Sequence, residues 1–282
     1  MVRTKNFVWN LNTNWSYTKN KVVTLFPTAG VPTLELNVGN YNIHRVGDPL
    51  GAIYGYRFAG VNSGNGNPVY FNAANKLVQR NIADGGYYLA NSLADPLLGA
   101  SSPLQSTDKV ILGNSLPKYF GAFTNTFSYK GFGLEVLTRY QAGNKIMNIT
   151  RQEILLNQRF ANGGTELLNR WTTPGQITSV PKLQYALDAN INQNGDAISR
   201  FTEKGDFIKI QNIVLSYQLN NERLKSLTRN NVKSARFFVQ MQNVHNWTRY
   251  TGIDPEAYSE LGQDNSLSPQ VRTVSTGISI GL

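Results

Sequence analysis

The 282-residue sequence contains no cysteine, which removes disulfides and thiolate metal sites from consideration. No apolar run approaches about 18 residues, so no segment reads as a transmembrane helix. Strands that cross a bilayer carry only half an apolar pattern, and that absence does not touch them. Charge is scarce: Asp, Glu, Lys and Arg make up 16% of the chain, against about a quarter of an average soluble domain. His44 and His245 are the only histidines. Neither has partners at a recognised catalytic spacing, so no Ser-His-Asp arrangement stands out. The carboxylates lie mostly in loop-like stretches, and no pair marks a glycosidase acid and nucleophile. The glycine-rich runs match neither a phosphate-binding loop nor a dinucleotide fingerprint. No enzyme activity, cofactor or metal is therefore expected. Residues 1–6 lead straight into a strand pattern, without the apolar core of a signal peptide.

Gly (25), Tyr (14) and Phe (13) are plentiful, a β-rich and turn-rich composition. The net charge is +10, yet Lys19, Lys21, Lys130, Arg223, Lys225, Arg229 and Lys233 are scattered over loops and strand ends. A nucleic-acid partner would call for basic residues gathered on one face.

The most informative stretch is the last. From Val274 on, Val, Thr, Ile, Ile and Leu take the even positions, and Ser, Gly, Ser and Gly the odd ones. Alternate residues of a strand point to opposite faces, so one face is apolar and the other small and polar, as in a membrane barrel strand. Residues 7–17 repeat the pattern, with Phe7, Trp9, Leu11, Thr13, Trp15 and Tyr17 on one face. Eleven residues suffice for a tilted strand to cross a bilayer. Residues 119–129 and 134–142 form a hairpin across 130–133, with Asn125 and Leu137 breaking the alternation. Strands at 207–219 and 235–247 follow, the first placing Ile213, Leu215 and Tyr217 outward.

The connections alternate in length. Short ones (130–133 and 220–234, the latter with a helical turn at 221–227) separate long ones at 18–118, 143–206 and 248–271. Outer-membrane barrels have short periplasmic turns and long outer loops; a β-sandwich has no reason to sort loops this way. The first long stretch is expected to hold little regular structure beyond a hairpin of 53–61 with 68–71, so it reads as a functional surface loop. In the second, 149–160 and 165–171 have helical spacing. A soluble carbohydrate-binding β-sandwich remains the competing reading.

Pro117, Tyr119, Gly121, Asn125, Phe127 and Tyr129-Lys130-Gly131-Phe132 resemble the hairpin pattern of the SusC/RagA family of TonB-linked outer-membrane transporters. Further stretches match in the same order: Gly47-Asp48-Pro49-Leu50-Gly51, Gly143-Asn144-Lys145-Ile146, Arg170-Trp171-Thr172-Thr173-Pro174-Gly175, Phe207-Ile208-Lys209-Ile210-Gln211-Asn212 and Gly252-Ile253-Asp254-Pro255-Glu256. The resemblance covers nearly the whole chain. It implies one partial domain, 1–282: six to eight antiparallel strands from the C-terminal part of a barrel of about 22, in the cell outer membrane. The plug, TonB box, signal peptide and first barrel half would lie outside these residues.

It also implies uptake of glycans or peptides with a SusD-like lipoprotein, and TonB engagement only through the plug. In the outer loops Tyr54, Tyr56, Tyr87, Tyr88, Trp171 and Tyr185 suit stacking on sugars, packing within the loops being the alternative for each. Glu135, Arg139, Gln141, Gln240 and Gln242 would face the lumen. Gly277, Ile280 and Leu282 resemble the barrel-assembly signal, with Leu where the family usually ends on Phe. An open sheet of this size leaves costly unpaired edges. Cells making only these 282 residues are therefore expected to show no substrate-dependent uptake, as measured with labelled oligosaccharides and peptides.

Overall fold

The computed structural model describes residues 1–27, 32–156, 162–185, 187–219, 224, 226, 228, 229 and 231–281. Its frame is a set of long strands: β1 (Phe7–Tyr17), β2 (Tyr119–Tyr129), β3 (Phe132–Ala142), β4 (Phe207–Gln218), β5 (Ser234–Thr248) and β6 (Thr273–Gly281). With the short strand Val2–Arg3 at one edge they form a seven-stranded sheet in that order. Every pairing is antiparallel.

Register puts the apolar alternation of every strand on one side. Trp9 faces Phe127, which faces Leu134, then Leu215, Val239 and Thr276. Trp15, Leu215, Phe237, Val274, Ile278 and Ile280 on this side are all exposed, between 43% and 65%. A β-sandwich would bury such a face under a second sheet. Among the described residues nothing covers it, so the sandwich reading fails and the sheet is a wall segment of a transmembrane barrel.

The two residues that interrupt the alternation have identifiable roles. Asn125 sits on the apolar side opposite Leu11, where its Oδ1 accepts the Trp9 Nε1–H at 3.1 Å; a polar group facing hydrocarbon needs such a partner. Leu137 marks a register shift, where Gln211 of β4 is left unpaired opposite β3. The irregularity widens into β5, where Asn243 and Val244 both lie between the paired residues Gln242 and His245. A bulge of this kind switches parity. Ile208 and Ile210 therefore share the apolar face with Ile213 and Leu215.

At one end of the wall the β2–β3 turn is shorter than the sequence indicated. Phe132 and Gly133 already pair with Tyr129 and Ser128, leaving Lys130 (φ 45°) and Gly131 (φ 91°) as the turn. Two positive φ values match strand twist, and glycine carries one without strain. The expected helical turn at 221–227 falls mostly outside the described residues, as does Leu282.

The three long connections leave from the other end and fold together. The 18–118 connection is not the irregular stretch expected. Glu35–Val38, Asn42–Arg45, Ala52–Val61, Pro68–Phe71, Leu77–Arg80, Tyr87–Leu89 and Val110–Asn114 are all strands and supply most of an eight-stranded sheet. Short strands separated by Gly and Asn turns carry too little periodicity to stand out. The 53–61 with 68–71 hairpin forms, with Phe58 opposite Tyr70, but within this cap rather than the wall. In the second connection the expected long helix is a single π-helical turn, Thr150–Leu155, with 157–161 outside the described residues; Thr165–Asn169 is 3₁₀.

The fully buried core lies in this cap, where Ile53, Tyr70, Met147, Leu156, Ile198 and Phe201 pack together. Phe201→Ala is expected to destabilise the cap by about 3–5 kcal/mol without unpairing the wall. Hydrogen exchange would show faster exchange confined to cap amides. Gly131→Val, whose Cβ would lie 2.8 Å from the Gln218 carbonyl oxygen, should slow assembly of the β2–β3 hairpin, read as lost folded protein in detergent refolding.

Candidate functional site

The cap is held together by charge and amide contacts within and between the long connections. Arg151 grips Glu166 with two hydrogen bonds, Nε–Oε2 2.7 Å and Nη2–Oε1 2.8 Å. Its Nη1 reaches Glu203 at 3.0 Å. Glu203 in turn accepts the Thr251 amide and hydroxyl of the third connection at 2.8 and 2.7 Å. Asn42 of the first connection exchanges hydrogen bonds with Leu261 and Gln263 of the third. Arg80 donates to Ala189, Asn190 and Gln193, and Lys109 pairs with Asp196 at 2.7 Å.

Burial perturbs several of these groups. Arg200, its guanidinium between the Phe58 and Phe201 rings, is lowered to about 10 by burial, with the Glu166 charge opposing; it stays protonated at neutral pH. Burial pushes the Glu166 carboxyl up, but the Arg151 hydrogen bonds and charge outweigh it, leaving it below the usual glutamate range. Burial and the Glu153 hydrogen bond hold the Tyr41 phenol up. Burial and the hydrogen bond to Asp264 do the same for Tyr250.

The loop aromatics differ in exposure and in how each is held. Tyr56 is 6% exposed in the cap core, with Lys109 Nζ over its ring at 5.2 Å. It is a packing residue here, because burial leaves no face for a sugar. Trp171 donates from Nε1 to the Ser63 carbonyl at 2.9 Å, and its ring covers Gly66, where a Cβ would fall 2.5 Å away. Tyr87 is fastened to Gln193 at 2.6 Å, with the Arg80 guanidinium over its ring. Tyr54 donates to the Ser106 carbonyl at 3.2 Å and Tyr88 to Asp84 at 3.1 Å. Tyr185 is 61% exposed. Among the described residues no three His, Asp or Glu side chains gather as metal ligands would.

Register places Glu135, Arg139, Gln141, Gln240 and Gln242 together on the polar side of the wall. Arg139 stands directly opposite Lys209, and like charges at paired positions repel. Glu256 resolves this. It comes down from the third connection to meet Lys209 Nζ at 2.6 Å and Arg139 Nη1 at 3.1 Å. Gln270 takes another Lys209 bond at 2.8 Å, and Tyr258 accepts from Gln141 at 3.1 Å. The sequence marked Glu256 only as part of the Gly252–Glu256 stretch that matches the family. A lysine and an arginine side by side on one face require an anion, but that juxtaposition appears only once the register of β3 against β4 is known. Gly277, on the polar side, lies under the Phe238 ring, where a Cβ would fall 2.5 Å from Cζ. Ile280 is on the apolar side.

The wall, with its apolar face out and its long connections at one end, defines a barrel segment carrying a folded cap. No family model matches the chain. It is 26% identical over 294 residues to "TonB-dependent receptor P3" of Formosa agariphila, covering 99% of this chain and 27% of that protein. To "TonB-dependent receptor SusC" of Bacteroides thetaiotaomicron it is 24% identical, covering 98% and 25%. The fold superposes on the "RagAB peptide transporter" with TM-score 0.77, at 22% identity, covering 99% of this chain and 28% of that one. The chain spans about a quarter of the length of the curated relatives it matches. Over nearly all its length it is similar to SusC/RagA-like TonB-dependent receptors, and its fold is that of the RagAB transporter barrel.

Two outcomes follow from the ion pairs. Glu256→Ala strands Lys209 and Arg139 against each other. It should cost about 3–5 kcal/mol, read as a lower melting temperature and new protease cuts within 249–272. Glu256→Gln should recover part of this, because its carbonyl still accepts from Lys209. Separately, a carboxyl held below its unfolded value contributes stability that is present at neutral pH and lost as pH falls through the folded value. Cap protection in hydrogen exchange should therefore drop in acid below the ordinary glutamate range, and Glu166→Gln should flatten that drop.

Proposed function

We propose that this chain is the C-terminal barrel part of an outer-membrane, TonB-dependent importer of peptides or oligosaccharides. What carries the reading is the sorting of connections: the three long ones share one end of the wall and co-fold into a cap. That arrangement supports a nutrient-facing surface outside the membrane, with short turns at the periplasm. The relatives named as TonB-dependent receptors and the RagAB peptide transporter fold agree with it. A SusD-like lipoprotein would seat on the cap, and TonB would act through a plug held against the polar side of the wall. Tyr54, Tyr87, Tyr88, Trp171 and Tyr185 then contribute ring faces at the cap, and the residues around Glu256 line the route inward. Gly277, Ile280 and Leu282 would serve barrel assembly. Catalysis has no place in this reading.

The test is uptake by the native bacterium with the gene for the whole proposed importer deleted and restored, offered labelled peptides and oligosaccharides. Deletion should abolish energy-dependent uptake of one nutrient class, and restoration should return it. Unchanged uptake of every nutrient, or uptake that survives collapse of the proton gradient, would overturn the proposal.

A further inference from the structure

Among the inner strands of the wall, at the end from which the long connections leave, a groove of about 530 Å³ opens on the apolar side, and no role assigned above uses it. Its floor comes from one row of the ladder. Tyr140 of β3 lies directly opposite Ile208 of β4, and Ile208 opposite Trp247 of β5, so the three side chains stand together on the face that carries Ile210 and Leu215. Ile208 and Trp247 are 51% and 52% exposed. Tyr140 leans over Gly121, where a Cβ would fall 2.6 Å from its Oη. Trp247 is steadied by an edge contact with His245, ring centroids 4.5 Å apart. Here β4 is paired on both sides. Whatever strands complete the barrel beyond the ends of the sheet, this face of Ile208 meets lipid.

The rim carries charge. Arg249 follows Trp247 by two residues and Lys204 precedes Ile208 by four, and both line the groove. Two residues of strand advance about 7 Å, so the cations stand beyond the aromatic row, on the side of the long connections. Asp206 is on the rim too, its Oδ1 accepting the Gly143 amide at 2.7 Å; two cations against one carboxylate leave the rim positive. Tyr and Trp on the apolar side near a strand end mark the boundary between hydrocarbon and headgroups. Cations just past that boundary lie at the depth of lipid phosphates and attract them. Long basic side chains can rest their stems on the rings below while their heads reach the anion. A ligand that fills this groove therefore enters from the lipid side, with an apolar part against Ile208 and an anionic part at the rim.

We infer that this groove binds the phosphorylated, acylated lipid of the outer leaflet, lipid A, with Lys204 and Arg249 on a phosphate and an acyl chain on Ile208 between Tyr140 and Trp247. The site rests on the reading above in which the long connections face outward. Lys204 lies near the end of the second connection and Arg249 near the start of the third. One lipid phosphate between them ties the feet of both connections to the outer leaflet.

The test is native mass spectrometry of the whole proposed importer, purified from the outer membrane and titrated with lipid A or with dephosphorylated lipid A. The wild type is compared with Lys204→Gln/Arg249→Gln and with Lys130→Gln/Lys233→Gln, which makes the same change of charge at the short-turn end. Loss of the two rim cations should weaken lipid A binding about thirtyfold, and the control pair should shift it by less than about threefold. The wild type should prefer the phosphorylated lipid, and the rim variant should lose that preference. Equal loss in both variants, no loss in either, or equal binding of the two lipids by the wild type would overturn the site. Heat-modifiable migration and labelling of the cap on intact cells are scored on the same strains. A wild type that fails to insert, or whose cap is not labelled from outside, overturns the outward-facing reading together with the site. Correct insertion and labelling without lipid A selectivity overturn the site alone.

Discussion

The structure depends first on the backbone hydrogen bond in a solvent that offers no substitute for it. A strand in hydrocarbon must satisfy its amides and carbonyls through neighbouring strands, and the continuous antiparallel ladder from β1 to β6 does so. Once the ladder is fixed, side chains have little freedom. Every second residue faces lipid, and most are apolar, threonine, or paired locally as Asn125 is with Trp9. The remaining residues face inward and are free to be polar. Even the exceptions obey the ladder: the extra Gln211 moves the following residues to the opposite face, and isoleucine follows the face rather than the numbering.

Packing is assigned differently. The wall has no core of its own, since one side meets lipid and the other is polar. Close packing is concentrated in the cap, where the first two long connections contribute to a single cluster. Ion pairs then join cap to wall, and Glu256 between Arg139 and Lys209 is the clearest of them. Here the desolvated charges specify how a loop sits rather than add net stability.

These two regimes explain what was legible in the sequence. Strands β1 and β2 were readable to the residue, because period-two alternation over eleven positions is hard to mistake. Strand β4 was readable only in part, since its bulge resets the alternation at Gln211. Beyond the 53–61 with 68–71 hairpin, the cap's sheet was not readable, because strands of three to five residues have no period to detect. The aromatic candidates illustrate the same limit. Composition marks Tyr56 and Tyr185 alike, but tertiary packing buries one in the core and leaves the other 61% exposed. The Glu256 bridge needed the register of β3 against β4, which the bulge obscured.

The hydrogen bond between Gln263 and Asn42 spans 221 residues of chain. Contacts of such separation form late, because loop-closure entropy is spent before they return anything. The hairpins of the wall need only near neighbours, whereas the cap lacks its closing contact until the third connection has emerged. A folding chain therefore pairs its hairpins before the Gln263–Asn42 bond ties the third connection to the cap.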